Sequence, residues 1–205
     1  MFPHLDLKFY DEQQRFLASR GFMLLEDCED VTFRKRGTNP GTFLRVMLGG
    51  NGTIIGTVYH LTFFRMQRLI GAKDIKTLDL ETKFGNGCFV CTTNAEQAGK
   101  LSKPSEIDSF HCAAATPFEK VLTFHEQRVG QFTLKTGAQP VQLNGIVDAR
   151  QVADAMQLLK AEHRRRIGLT RDELQKMAGG NCNDKALDVL TEEIQKEHRR
   201  DVKES

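Results

Sequence analysis

Two glycine-containing turns in the middle of the chain restrict its fold more than any other feature of the sequence. The first is predicted at Gly50-Asn51-Gly52 and the second at Asn86-Gly87. A type I′ turn needs positive φ at both central residues, a conformation that Asn and Gly tolerate best. Runs rich in β-branched and aromatic residues flank each turn. We therefore expect the stretch 42–93 to contain two β-hairpins.

The two hairpins differ in the pattern of their side chains. Strands 43–48 and 53–61 carry apolar residues on both faces, which predicts central strands that are covered on each side. In the second hairpin, apolar residues and Thr82 alternate with charged residues, so one face is expected in the core and the other in water. A two-residue loop at Asn86-Gly87 would place Phe84 opposite Phe89, and Thr82 opposite Cys91.

Helices are predicted on both sides of the hairpins. Residues 5–20 show an apolar stripe and are followed by Gly21, which suits a left-handed residue after a helix. A second helix is predicted at 116–129, with Thr116 as N-cap, Pro117 at the first helical position and Glu119 closing a capping box. The other predicted elements are an acidic turn at 27–30, a strand at 31–36 and a strand at 107–114. The segment 62–76 is expected to cover the core, and a contact surface for a partner or a membrane face is the alternative.

These elements predict an α+β fold. An antiparallel sheet of about five or six strands is packed by the N-terminal helix and the second helix, and a helical C-terminal tail follows. We expect the α+β domain to span residues 1–136, a connector 137–146 and the tail 147–205. The second helix is predicted to end near Val129, and an N-cap is predicted at Asp148. Within the tail, Thr170 and Glu173 form a second predicted capping box.

The composition of the chain limits the classes of protein to which it can belong. The chain has 205 residues and a formal net charge of +2 without a strongly basic segment, which disfavours nucleic-acid binding. Its five cysteines are odd in number and irregularly spaced, so a reducing, cytoplasmic location is expected. No apolar run approaches the roughly 20 residues that span a bilayer, and the first residues do not resemble a secretory signal. We expect a soluble protein.

Two cysteine motifs have structural interpretations. Cys88 and Cys91 match C-x-x-C, a spacing that zinc sites and redox pairs use. On a strand, however, an offset of three sends the two sulfurs to opposite faces. His111 and Cys112 are neighbours on a predicted strand, so they also point in opposite directions and cannot form a nucleophile–base pair. We predict no metal site and no cofactor.

Three residues are candidates for ligand binding. Arg45 and His60 are polar residues within apolar strands, where a buried charge is costly without a partner. If the first hairpin pairs around Asn51-Gly52, Arg45 and His60 lie a few residues from being opposite. They could line a polar pocket near that hairpin, with His111 as a third member.

The run Arg164-Arg165-Arg166 ends a predicted helix. Cations at a helix C-terminus offset the macrodipole, which favours a capping role. The same run would also suit phosphates of a nucleic acid, so weak nucleic-acid binding through 160–171 stays an alternative.

The sequence favours a non-enzymatic function. It contains no G-x-S-x-G, no H-E-x-x-H and no glycine-rich phosphate loop followed by a helix. The leading hypothesis is an interaction module that docks a protein partner or self-associates through its sheet and helical tail. The alternatives are a small-ligand sensor or enzyme with a polar pocket near the first hairpin, and a weak nucleic-acid binder.

Overall fold

Six strands and four helices are formed by the residues that the computed structural model describes. These residues are 5–30, 42–61, 75–95, 102–168, 170–177, 188–189 and 191–192. The helices are α1 (Leu7–Ser19), α2 (Phe118–Thr136), α3 (Ile146–Ile167) and α4 (Arg171–Met177), with helical residues also at 188–189 and 191–192. The strands are β1 (Met23–Asp30), β2 (Thr42–Gly49), β3 (Ile54–Leu61), β4 (Ile75–Lys83), β5 (Phe89–Thr93) and β6 (Ile107–His111). The predicted α+β class is confirmed.

The chain divides into two compact units. The first comprises residues 1–96 and 106–152, and the second comprises 97–105 and 153–205. All six strands belong to the first unit, together with α1 and α2, whereas α4 belongs to the second. The predicted division at 137–146 stays a prediction.

The sheet has the order β1-β2-β3-β4-β5-β6, so each strand lies beside its neighbour in sequence. The first five strands are antiparallel, and β6 is parallel to β5. The sheet is thus mostly antiparallel rather than wholly so. The parallel pair requires the chain to return along the sheet, and residues 94–106 are long enough for that crossover.

The first hairpin confirms the turn prediction. Leu48 lies opposite Ile55, and Gly49 opposite Ile54. Between them, φ is positive at three consecutive residues, +57° at Gly50, +55° at Asn51 and +88° at Gly52. Glycine and asparagine are the residues for which this conformation is cheapest, so the local sequence accounts for the turn.

The second hairpin forms where it was predicted, but its register differs by one residue. Thr82 lies opposite Val90, and Lys83 lies opposite Phe89, so the predicted Phe84–Phe89 and Thr82–Cys91 pairs are wrong. The Phe84 amide donates to the Cys88 carbonyl, which leaves a three-residue loop in place of two. Such loops commonly end in a left-handed residue, and Gly87 has φ +84°.

One face of the sheet, the core face, carries the apolar centre of the first unit. Its fully buried side chains include Met47, Val58, Leu78 and Leu80. Helices α1 and α2 contribute Phe9, Tyr10, Leu17, Val121 and Leu122 to the same cluster. The predicted alternation in β4 is confirmed from Leu78 onward, because its charged residues are only partly buried on the second face.

The N-terminal helix begins and ends close to its predicted bounds. Asp6 is its N-cap, and the Asp6 carboxylate accepts a hydrogen bond of 3.1 Å from the Phe9 amide. Hydrogen bonds from Lys76 and from that amide lower the pKa of Asp6. Gly21 follows the helix with φ +83°, as predicted.

Residues 27–30 do not form the predicted acidic turn. They continue β1, where Asp27 lies opposite Arg45. A register irregularity between Leu24 and Glu26 precedes this pair. The acidic side chains therefore belong to a strand at the edge of the described sheet. The predicted strand at 31–36 and the segment 62–74 lie outside the described residues.

Helix α2 differs from the prediction at both ends. Its N-cap is Pro117, which has no side-chain oxygen to accept a capping hydrogen bond, so the predicted Thr116 capping box is wrong. The helix does not end near Val129 but continues through Gly130 to Thr136, where Gly137 follows in a left-handed conformation. Phe132 explains the extension, because its ring lies 4.4 Å from that of Phe84.

Of the two N-terminal caps predicted after residue 145, one is wrong and one is confirmed. Asp148 lies inside the first turn of α3, where it accepts hydrogen bonds from Asn144, so it is not the N-cap. At α4, the Thr170 hydroxyl accepts from the Glu173 amide, and the Glu173 carboxylate accepts from the Thr170 amide. This reciprocal arrangement confirms the second capping box. No helix in the described ranges has the length and apolar character needed to cross a membrane.

Candidate functional site

Arg45 is held by carboxylates from two neighbouring elements. Its Nε and Nη2 donate to the two carboxylate oxygens of Asp27 at 2.8 and 2.9 Å, and Nη1 lies 3.4 Å from Asp11. The hydrogen bond to Asp27 raises the pKa of Arg45, and the guanidinium lies 5.6 Å from the centre of the Tyr10 ring. This bidentate pairing joins β1 to β2 and uses the charge that the sequence singled out.

Tyr10 bridges the open end of the first hairpin. The last pair in the register is Leu44 with Tyr59, so Phe43 and His60 come next. The Tyr10 hydroxyl donates to the Phe43 carbonyl at 3.1 Å and accepts from the His60 amide at 2.9 Å. Burial raises the pKa of Tyr10 to about 12. A helix side chain thus occupies the place of a strand-to-strand hydrogen bond.

His60 shares the core face with Arg45. Arg45 lies opposite Val58, and His60 is two residues beyond it on β3, as the hairpin pairing predicted. The imidazole is buried, with its ring 6.3 Å from that of Phe9. Both candidates therefore border α1, and packing against this helix surrounds them.

His111 lies away from the other two candidates. It is in register with Thr93 at the end of β6, on the second face of the sheet, and its Nδ1 lies 3.3 Å from the Ala95 carbonyl. The structure brings Arg45 and His60 to one face and places His111 on the other. A shared ligand-binding role for the three residues stays a prediction.

A carboxylate and two hydroxyls form a polar cluster on the second face. Asp79 accepts hydrogen bonds from the Tyr59 hydroxyl, at 2.9 Å, and from the Thr93 hydroxyl. Burial and the nearby Asp79 carboxylate raise the pKa of Tyr59. The sequence pattern assigned Asp79 to a water-facing side, and only the strand register reveals its two partners.

His125 is a fully buried titratable residue that the sequence did not select for ligand binding. Its Nε2 lies 3.0 Å from the Thr82 hydroxyl and its Nδ1 lies 3.1 Å from the Thr92 hydroxyl. Burial, together with the nearby Arg128, lowers the pKa of His125 to about 3. Hydroxyls both donate and accept, so two of them suit a neutral imidazole.

Cys112 lacks the environment of a reactive thiol. It is buried in the core cluster, and burial raises its pKa, which disfavours the thiolate. Both nitrogens of the His125 ring are bonded to threonine hydroxyls, so His125 is not placed to act as a base for Cys112. The geometry supports a structural interpretation of this cysteine.

Arg128 and two aromatic rings form a surface at the β6 side of α2. Arg128 makes a 2.6 Å ion pair with Asp108 and lies 5.7 Å from the centre of the Phe110 ring. The Phe110 ring meets that of Phe124 edge to face, with centroids 5.8 Å apart. Phe110 is 42% exposed and Phe124 37% exposed. We call Asp108, Phe110, Lys120, Phe124 and Arg128 the aromatic surface.

Neither metal coordination nor similarity to known proteins supplies a function. Within the described parts of the chain, no group of three or more His, Cys, Asp or Glu side chains is placed to hold a metal ion. Comparisons with protein-family models, with curated protein sequences and with solved structures find no match. The function is therefore argued from the geometry of the chain itself.

Proposed function

We propose that this chain is a non-enzymatic interaction module that self-associates through its aromatic surface. The observation that carries the proposal is the Phe110–Phe124 pair, in which two large apolar rings lie side by side and exposed. Aromatic residues are enriched at the centres of protein interfaces because they bury much area at low entropic cost. The pair joins a strand to a helix, so its geometry is set by two packed elements.

The charges around the rings favour a second copy of the same chain as the occupant. Asp108 and Arg128 flank Phe110, and the exposed Lys120 precedes Phe124 by one helical turn. A surface that carries both signs can meet itself across a two-fold axis, because Asp108 of one copy can then face Lys120 of the other while the Asp108–Arg128 pair stays intact. A partner whose surface carries only one sign of charge would repel either the acidic or the basic groups of the aromatic surface.

A non-enzymatic role is consistent with how potential catalytic groups are used. Arg45 is bound by Asp27, His125 by two threonine hydroxyls and Arg128 by Asp108. Each of these contacts joins separate elements of the first unit. Freeing such a group for chemistry would break contacts between those elements, so we assign these residues to the scaffold.

Light scattering after size-exclusion chromatography, across a wide range of protein concentrations, tests the proposal. We expect the molar mass to rise toward that of a dimer for the natural chain. Replacing Phe110 or Phe124 by Ser should weaken dimerisation by about 2 kcal/mol, or about thirty-fold in the dissociation constant, because each ring is an interface anchor.

Leu134→Ser is the matched control. Leu134 lies on the same helix and is 88% exposed, but it is outside the aromatic surface. This variant should dimerise like the natural chain. A natural chain that stays monomeric at every concentration contradicts the proposal, as does equal weakening by Leu134→Ser.

The location of the protein and its alternative function are also proposals. A cytoplasmic location rests on the odd number of irregularly spaced cysteines. For nucleic-acid binding through 160–171, the discriminating result is a gel shift that weakens steeply with salt. No shift at low salt would remove that alternative.

A further inference from the structure

The arginine run at the end of α3 lies beside a serine that the function proposed above does not involve. In the second unit, the hydroxyl of Ser102 lies 3.2 Å from Nε2 of His163. Arg166 Nη2 lies 3.4 Å from Nδ1 of the same ring. An arginine can only donate, so Nδ1 accepts and Nε2 carries the proton that points to Ser102. Ser102 is exposed, as are Arg165 and Arg166.

The backbone of Ser102 is fixed at this position by a partly buried ion pair, in which Glu173 is buried and Arg164 is half-buried. Glu173 accepts a 2.6 Å hydrogen bond from the Ser102 amide, and Arg164 donates to the Ser102 carbonyl at 3.2 Å. Three contacts of 3.0 Å join Arg164 to the Glu173 carboxylate. These contacts hold the backbone of Ser102 against the last turn of α3. The position of the Ser102 hydroxyl therefore does not depend only on its own contact with His163.

The ion pair also decides the charge that remains near the hydroxyl. Burial opposes ionisation of Glu173, but hydrogen bonds from Arg164 and from the Thr170 and Ser102 amides lower its pKa to about 2. Arg164 is thus matched by Glu173, whereas Arg165 and Arg166 at the helix end add positive charge. Glu162 is an exposed acid on the same helix, one residue before His163. In this last part of α3, Arg165 and Arg166 outnumber Glu162.

We propose that Ser102 is a phosphorylation site and that His163 and Arg166 bind its phosphoryl group. A phosphoryl group on serine carries about −1.5 to −2 charges and three acceptor oxygens, which suit an arginine guanidinium and a ring N–H. A protein kinase would supply it from ATP. The bond from Ser102 Oγ to the γ-phosphorus forms, the bond from that phosphorus to ADP breaks, and the hydroxyl proton passes to the kinase base.

This assignment gives the arginine run two separate tasks. Arg164 caps the end of α3, since it donates to the Gly168 carbonyl at 2.6 Å and pairs with Glu173. Arg166 contacts the Nδ1 edge of the His163 ring, and Ser102 contacts the Nε2 edge of the same ring. The capping role predicted from the sequence thus accounts for the first arginine, and phosphoserine recognition accounts for the third.

The binding step is tested on the full chain with phosphoserine incorporated at position 102. A ³¹P NMR titration follows the second ionisation of the phosphoryl group, which normally has a pKa of about 6. We expect the midpoint to fall by about one pH unit, because neighbouring cations favour the doubly charged form. Arg166→Gln should return the midpoint toward its usual value.

Phosphoserine at position 105 is the matched control, since Ser105 is exposed in the same short segment and has a different position along it. Its midpoint should be the same with Arg166 as with Arg166→Gln. A midpoint at position 102 that equals the one at position 105, or that ignores Arg166→Gln, overturns the binding assignment.

The modification itself is tested by incubating the unmodified chain with ATP and a cell extract that phosphorylates casein. Peptide mass spectrometry should then find phosphate on Ser102 and lose it in Ser102→Ala. Phosphate on other residues with none on Ser102, or no incorporation at all, contradicts the proposal.

Discussion

Arg45, His125 and Arg128 show how polar residues are placed inside the first unit. Each is reached by partners from other elements, with sequence separations of 18 between Arg45 and Asp27 and 43 between His125 and Thr82. The sequence identified Arg45 as a residue that needs a partner, because an unpaired buried charge is costly. It could not identify Asp27 as that partner, since the acidic residues at 27–30 were assigned to a turn. The choice of partner depends on strand pairing.

Arg45→Ala should lower the free energy of unfolding by about 2–3 kcal/mol, because Asp27 loses a bidentate partner. The loss is smaller than for a fully buried pair, since the Asp27 side chain is 35% exposed and water can replace part of the contact. Urea unfolding followed by circular dichroism measures the change.

Arg20→Ala is the control for that measurement. Arg20 is exposed at the end of α1, and substitutions of this type usually change stability by at most about 0.5 kcal/mol. Equal unfolding midpoints for Arg45→Ala and Arg20→Ala would show that the Asp27 contact adds nothing to stability.

His125 should make stability depend on pH. Its pKa is about 3 in the folded chain, against 6.5 for an exposed histidine, so the unfolded state binds more protons between these values. The stabilisation is fully present above pH 6.5 and is lost as the pH falls toward 3, at up to about 1.4 kcal/mol per pH unit.

Unfolding free energies at pH 7 and pH 5 test this dependence. The difference between the two should shrink in His125→Gln, which has no proton to gain, even if that variant is less stable at both pH values. Gln127→Ala, an exposed and non-titrating substitution on the same helix, serves as control and should keep the natural difference. An unchanged difference in His125→Gln would contradict the assignment of a buried neutral imidazole.

The local sequence predicted which helices and strands form better than it predicted the residues at which they begin and end. The hairpin turns follow from Gly and Asn at positions that need positive φ, which is a local requirement. The register of the second hairpin was missed because Gly85-Asn86-Gly87 suits both a two-residue and a three-residue loop. The extent of α2 was missed because Gly130 disfavours helix by about 1 kcal/mol, whereas the contact of Phe132 with Phe84 depends on distant residues.

Gly130 within α2 and Gly137 directly after it should respond in opposite ways to the same substitution. Gly130 is within the helix with open space at its Cβ position, so Gly130→Ala should stabilise the chain by about 0.5–1 kcal/mol. Gly137 also has open space but has φ +72°, so Gly137→Ala should destabilise by about 1 kcal/mol.

Thermal unfolding of the two variants distinguishes a helix that continues to Thr136 from one that ends at Val129. If the helix ended there, Gly130→Ala would bring no helical gain, and Gly137→Ala would meet no left-handed requirement. The two alanine variants would then have similar midpoints.

At the scale of the whole molecule, the α+β class was predictable and the arrangement of its functional candidates was not. Hairpins and amphipathic helices specify a sheet covered by helices, so the class follows from patterns. The parallel placement of β6 depends on pairing across the crossover 94–106, which no local pattern reports. That placement sets Phe110 beside Phe124 and takes His111 away from Arg45 and His60. Self-association through the aromatic surface is thus a prediction that only the assembled sheet allows.

The Tyr10 hydroxyl connects the docking of the first helix to the completion of the central ladder. A phenol from residue 10 stands between carbonyl 43 and amide 60, so it links the two strands at that end while α1 is seated. Helix attachment and ladder closure consequently become one cooperative event. Solvent exchange of a single amide proton, that of His60, would report when the N-terminal segment lifts off.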